Sequence, residues 1–235
     1  MLSRNQIKFI QSLKQKKNRQ EAGVFVVEGE KVVREFLRSD WVVDKVYATA
    51  DWEGGAERIS TKELSRISFL KSPNKVLALV KMPKEKQTVD GDLILALDGV
   101  GDPGNLGTII RLADWFGVRH ILCSTDCVDA YNPKVVQSTM GSLARVQLQY
   151  IDLEESLTEY VGYQKYAAVM GGVDLFQTVK SKKSILVFGS ESHGISESIL
   201  KQCNSEFTIP KAETSGAESL NVANACAIAL AQWSQ

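Results

Sequence analysis

Chemistry-bearing residues in this chain collect in three segments, each placed directly behind a β-rich run. The first reads LILALDGVGDPGNLGTIIRLADWFGV. Gly99, Gly101 and Gly104 satisfy GxGxxG, and Asp126 follows roughly 20 residues on, which matches the dinucleotide fingerprint by the letter. That fingerprint works only if a helix opens within the glycines, so that its amides meet pyrophosphate. Here Pro103 and Asn105 occupy that stretch, and the helical pattern is expected to begin near Thr108. The sequence contains no GxxxxGK[ST], so a P-loop is excluded. On the helix, Ile109, Leu112, Ala113 and Phe116 form the apolar stripe, and Arg111 lies about 200° around from Ile109. Arg111 is therefore either a solvated side chain paired with Asp114 or a guanidinium positioned for a phosphate.

In the second segment, ILVFGSESHGIS, Gly189 and Gly194 bracket Ser190, Glu191, Ser192 and His193. Serine and histidine suggest a hydrolase, but there is no GxSxG elbow, and adjacent residues are not expected to form a Ser–His relay. Glycines here let backbone approach a ligand, or simply make a turn before a helix. The third segment, FTIPKAETSGAESLNVANACAIALAQW, passes from a strand through a polar loop into a helix expected to be capped by Ser219. Ala223, Ala225, Ala227 and Ala229 would let that helix pack closely on its neighbours.

The elements that must hold these loops follow from pattern. Residues 92–235 alternate strands (LILALD, HILCS, VQLQYI, YAAVM, ILVFGS, FTIP) with helix-length segments, which predicts βαβ crossovers and a largely parallel sheet. Ligands collect beyond the carboxyl ends of such strands. Residues 1–85 read as a smaller α/β domain: a basic helix over 3–20, a strand from Val24 to Val27, a helix carrying Val32, Val33, Phe36 and Leu37, then further short elements. A charged stretch around 86–91 is the expected linker.

Composition sets the remaining bounds. Hydrophobic residues make up 44% and charged residues 24%, an ordinary globular balance. The longest aliphatic run, Leu93 to Leu97, is far too short for a membrane span, and no signal peptide is evident, so a cytoplasmic protein is expected. Four cysteines without a CxxC pair and two histidines argue against a zinc site; no metal is expected. The formal charge is zero, with 28 basic and 28 acidic side chains, yet residues 1–90 carry 18 basic against 12 acidic. The acidic excess lies in the rest of the chain. Such asymmetry suggests two units with different jobs.

Taken together and in this order, DPGNLGTIIRLADWFGV, VFGSESHG and IPKAETSGAESLNVANACAIAL resemble the three motifs of the SpoU (TrmH-like) branch of the SPOUT methyltransferases. NPKVVQSTMGSL is similar to the family's intervening segment, with Ser138, Gly141 and Ser142. Residues 1–85, with RQEAGVFVVEGEKVVREFL, also look like the family's accessory domain, which resembles an RNA-binding ribosomal-protein fold. The resemblance implies methyl transfer from S-adenosylmethionine to a ribose 2′-hydroxyl in ribosomal or transfer RNA, ribosomal RNA being favoured. It implies a parallel sheet with a deep trefoil knot at its C-terminal end and a homodimer. By motif position Arg111, Asn105, Glu191 and Asn221 would be the polar catalytic and RNA-facing residues, with His193 an alternative base. Gly189, Ile209, Leu220, Gly194, Ser138 and Gly141 would line the cofactor site. Lys8, Lys14, Lys16, Lys17 and Arg19 would contact RNA phosphates. Two departures from the pattern stand out: Ala223-Asn224 replaces the usual Ser-Val, and the loop from Pro210 to Leu220 is long.

Overall fold

In the computed structural model, residues 1–83 and 89–234 are described. The expected linker 86–91 lies partly outside them. The chain runs α1 (Arg4–Ser12), α2 (Lys16–Ala22), β1 (Val24–Glu28), α3 (Glu30–Leu37), β2 (Val43–Ala48), β3 (Glu57–Arg58), α4 (Thr61–Ile67) and β4 (Val76–Lys81). It continues with β5 (Leu93–Asp98), α5 (Pro103–Trp115), β6 (His120–Cys123), α6 (Pro133–Ser138), β7 (Gln147–Tyr150) and α7 (Leu153–Ser156). It ends with β8 (Gln164–Asp174), β9 (Ser184–Gly189), α8 (Glu197–Leu200), β10 (Ser205–Thr208) and α9 (Val222–Trp233). Two compact units result, Met1–Lys86 with Asp129–Arg145, and Gln87–Val128 with Val146–Gln235.

The first unit is a four-stranded sheet in the order β1-β4-β2-β3, in which β4 runs antiparallel to both neighbours. Capping boxes fix two of its helices: Ser3 with Gln6 opens α1, and Ser60 with Glu63 opens α4. A single basic helix over 3–20 does not form. The chain breaks after Ser12 and restarts at Lys16, leaving carbonyls at the end of α1 that need donors. Arg19 supplies them, donating to the carbonyls of Leu13 and Lys14 at 2.8 Å each. Its Nη2 also meets the carboxylate of Asp129 at 2.5 Å. Arg19 is only 2% exposed, which removes it from the set of residues that could meet RNA phosphates. The Asp129–Arg145 segment packs here rather than with the parallel sheet, through a cluster of Phe25, Phe36, Trp41 and Tyr131 rings and the Arg145–Glu35 ion pair.

The second unit holds six strands in the order β10-β8-β9-β5-β6-β7, and every pair is parallel, as the alternating pattern requires. Ile94, Ala96, Ile185, Val187 and Ala167 are fully buried on its strands, and the C-terminal ends of all six share one edge. β8 is much longer than expected. Its register on β10 jumps from Glu206↔Ala167 to Phe207↔Val173, so residues 168–172 bulge out near that edge. Helix α5 begins at Pro103, five residues before the expected start, because Asp102 caps it by accepting from the Asn105 amide. Helix α9 is capped by Asn221 and not by Ser219. Among the described residues no helix is long and apolar enough to cross a membrane.

Arg19 is a buried cation whose removal strands a nearly buried carboxylate. Arg19→Ala should therefore lower unfolding free energy by about 3–5 kcal/mol, read by urea denaturation. A loss below about 1 kcal/mol would show that the pair is solvated in solution.

Candidate active site

The carboxyl ends of β5 and β9 lie side by side, with Asp98 paired to Gly189 in register. Each strand releases a tight loop there. The Gly99 amide donates to Ser124 Oγ at 2.8 Å, and that hydroxyl donates to Asp126 Oδ1 at 2.5 Å. Asp126 therefore props the turn after β5. Beneath the same turn, the Val100 amide donates to Cys127 Sγ at 3.3 Å. A hydrogen bond from the Cys123 thiol is the main reason the buried Cys127 thiol is held down to about 7.

The loop after β9 closes on itself. Ser190 and Gly194 exchange backbone hydrogen bonds at 3.0 Å each, and the His193 amide donates to Ser190 Oγ at 3.1 Å. This turn lies so tightly against Gly189 that a Cβ there would sit 2.0 Å from the Gly194 carbonyl carbon. Only glycine fits at 189. Glu191, Ser192 and His193 are thrown out at the crest of the turn, all exposed. Contrary to the sequence expectation, Ser192 Oγ and His193 Nδ1 do meet, at 2.7 Å. No third group among the described residues orients that imidazole, so the pair lacks the arrangement of a hydrolase triad.

The two loops and the start of α9 are tied together by side-chain amides. Asn105 Nδ2 donates to Glu191 Oε1, and Asn221 Nδ2 donates to Asn105 Oδ1 at 2.9 Å. Asn221 Oδ1 accepts from the amides of Ala223 and Asn224 at 3.0 and 3.3 Å. Three of the four predicted polar residues thus form one cluster. Arg111, the fourth, is exposed and makes no hydrogen bond or ion pair among the described residues, so the pairing with Asp114 is not found. It sits six residues along α5 from Asn105, about 240° around and about 9 Å along the axis, and so faces away from the cluster. Trp115, one turn beyond, is 83% exposed on the same face.

The helix start at Pro103 falls within the glycines, so the GxGxxG segment does resemble a dinucleotide turn in shape. Charge decides against that reading. The Asp102 carboxylate occupies the helix N-terminus and Glu191 lies beside it, where a pyrophosphate would have to bind. Asp102, Ser124 and the bulge in β8 were not singled out by sequence; only the Asp-Pro pair of a helix start could have flagged Asp102.

Of the predicted cofactor residues, Gly189 ends β9 and Ile209 follows β10, two strand spacings away, or about 10 Å. Leu220 is 48% exposed just before α9. The backbone groups of Glu218, Ser219 and Leu220 bond to nothing among the described residues. Free amides and carbonyls beside an exposed aliphatic side chain fit a ligand that is flat, apolar on its faces and polar at its edges, as an adenine is. Ser138 and Gly141 belong to the first unit, where Ser138 Oγ donates to the Lys134 carbonyl and Gly141, at φ +100°, approaches Glu35. A hollow lined by Gly171, Gly172, Cys203 and Glu206 contains none of the predicted site residues.

In the first unit, Lys8, Lys14, Lys16 and Lys17 are all exposed. Lys14 lies over the Phe69 ring at 5.0 Å, and Lys17 is 3.8 Å from Glu21 in an open i,i+4 pair. Among the described residues, no group of three or more His, Cys, Asp or Glu side chains could hold a metal ion.

Comparison with known proteins gives the family. Residues 92–231 match the SpoU rRNA Methylase family, and residues 4–78 match the MRM3-like substrate binding domain. The 23S rRNA (guanosine(2553)-2′-O)-methyltransferase RlmP of Bacillus subtilis is 31% identical over 233 residues, covering 94% of this chain and 93% of that protein. Among solved structures, a TrmH-family protein from Porphyromonas gingivalis is 38% identical with a TM-score of 0.89, covering 99% of this chain and 98% of that one. An AdoMet-bound rRNA methyltransferase from Sinorhizobium meliloti is 29% identical with a TM-score of 0.88, over 99% and 95% of the two chains.

The contact at Gly189 sets a direct test. Gly189→Ala should force the 190–194 turn open, so that hydrogen exchange at the Ser190 and Gly194 amides accelerates at least about tenfold, or about 1.4 kcal/mol. Unchanged protection would mean the turn is looser than described.

Proposed function

This chain belongs to the SpoU rRNA Methylase family, and on that footing we propose that it methylates a ribose 2′-hydroxyl in ribosomal RNA. It is an S-adenosylmethionine-dependent RNA 2′-O-ribose methyltransferase of the SPOUT superfamily. The choice of ribosomal RNA is supported by relatives named for 23S rRNA in Bacillus subtilis and Streptomyces viridochromogenes. The observation that carries the site assignment is the Asn221–Asn105–Glu191 cluster at the carboxyl edge of the parallel sheet.

The cofactor is assigned to the backbone of Gly189, Ile209 and Leu220, with Gly194, Ser138 and Gly141 as further candidates. Bound there, S-adenosylmethionine would supply a methyl group carried on a sulfonium, with a neutral thioether as its leaving group. The chain's own residues then have two tasks. One is to hold the ribose oxygen in line, an effect worth roughly 7–11 kcal/mol in favourable cases. The other is to accept the build-up of negative charge on that oxygen as its proton leaves. Arg111, exposed and without a hydrogen bond or ion pair among the described residues, suits the second task and the adjoining phosphate, whereas a guanidinium is a poor general base. His193, exposed on the turn beside Glu191, is the alternative proton acceptor.

Arg111 turns away from the cluster in its own chain, and Trp115 leaves a large apolar surface beside it. Both features support a homodimer in which the Arg111 of one copy completes the site of the other. A C-terminal trefoil knot is supported by the path of the chain. It leaves β10 at the sheet edge and returns through α9, which packs on β9 and α5. Residues 1–85 are assigned to RNA binding, 86–91 to a linker and 92–235 to the methyltransferase domain. Lys8, Lys14, Lys16 and Lys17 give the first of these an exposed cationic face. Action on ribosomal RNA, as in the Bacillus subtilis relative, favours the cytoplasm.

Isothermal calorimetry with S-adenosylmethionine tests the cofactor assignment, and saturable binding is expected; binding of NAD in its place would overturn the reading. Arg111→Ala should lower turnover at saturating RNA by about 100-fold, in the range of a lost charge-stabilising donor. Near-wild-type turnover would remove Arg111 from the site. The pair Lys8→Ala/Lys14→Ala should flatten the dependence of RNA affinity on salt by up to about two in slope, with cofactor affinity unchanged. An unaltered slope would show that this face does not meet RNA.

A further inference from the structure

Hydrogen-bond direction around Asn105 is over-determined. Asn221 Oδ1 is committed to two amides in the first turn of α9, those of Ala223 and Asn224. Its Nδ2 must therefore point outward, and it finds Asn105 Oδ1 at 2.9 Å. With its oxygen taken, Asn105 can offer only N–H to its other neighbour, which is Glu191 Oε1. An ionised carboxylate has acceptors only, so the three side chains fit together in one polarity. Asp102 sets the first turn of α5 beneath them by accepting from the Asn105 backbone amide at 2.8 Å.

We propose that Asn221 is a positioning residue, whose contribution to methyl transfer runs through Asn105 and consists of directing Glu191 by a one-way hydrogen-bond relay anchored on the N-terminus of α9. Asn105 and Asp102 are positioning residues of the same relay, and Glu191 is the group it presents to substrate. The relay links the start of the C-terminal helix to the crest of the 190–194 turn, which carries Glu191 on an exposed loop and would otherwise leave its carboxylate free to rotate. The proposal rests on the methyltransferase reading of this site.

The substitution Asn221→Asp separates capping from relaying. Aspartate caps a helix as well as asparagine does, so α9 keeps its start. It has no N–H to donate. Asn105 would then turn its own NH₂ toward residue 221 and its carbonyl toward Glu191, placing two acceptors face to face.

The whole 235-residue chain is assayed for S-adenosylmethionine-dependent methylation of ribosomal RNA. Asn221→Asp should keep the wild-type Tm and KM for both substrates while kcat falls at least about tenfold. In Asn105→Ala, the further change Asn221→Asp should cost nothing more, because the relay is already broken. Asn221→Ser, which also caps but cannot reach Asn105, provides the same test should the aspartate variant fold poorly. A kcat unchanged in Asn221→Asp, or losses that multiply in the double variant, would overturn the relay. Absence of methylation by the wild-type protein would overturn the underlying functional reading instead, so the two failures are told apart.

Discussion

At the carboxyl edge of this sheet, the side-chain amide of Asn105 ties together elements that lie far apart in sequence. It bonds to both the turn after β9 and the start of the helix after β10. Those two elements are separated in sequence from α5 by about a third to a half of the chain. A parallel sheet makes such a meeting possible, because every strand delivers its following loop to the same end. The register of β5 on β9 brings Asp98 level with Gly189, and the tight fold of the chain over Gly189 then puts Glu191 within reach of Asn105. The site is thus the sum of a register, a glycine and two helix caps.

The same edge explains why the segment with glycines at 99, 101 and 104 is not a dinucleotide site despite its spelling. Helix α5 opens where such a helix should, but an aspartate caps it and a glutamate faces it. A helix start filled with carboxylate repels a pyrophosphate. A cofactor that carries a cationic sulfonium suffers no such repulsion. The overall charge balance of zero reads in the same way. Basic residues concentrate in the unit assigned to RNA, and the acidic surplus lies in the part of the chain proposed to hold a small zwitterion and a short stretch of ribose.

Most of the architecture was legible because parallel strands buried on both faces leave unmistakable apolar runs, as LILAL and ILVF do. The cluster residues were legible only through the motif resemblance; spacing alone could not bring Asn105, Glu191 and Asn221 together. Errors arose where a local cap outranked periodicity. Asp102 starts α5 five residues early, and Asn221 takes the cap expected of Ser219. The break after Ser12 turned Arg19 inward, since carbonyls at the end of α1 and Asp129, more than a hundred residues away, needed its donors. No pattern within residues 3–20 encodes that partner. The bulge of β8 was invisible for a similar reason: it depends on the register of β10, which lies beyond two intervening elements.

The proposed reaction moves a methyl group onto a ribose oxygen of ribosomal RNA. It is tested most directly by incubating the purified protein with S-adenosylmethionine and ribosomal RNA from cells lacking its gene, then mapping 2′-O-methyl nucleotides. A new 2′-O-methyl group is expected at a defined ribosomal position, and it should disappear when Glu191 is replaced by alanine. Methylation confined to transfer RNA would contradict the substrate, and methylation on a base would contradict the chemistry itself.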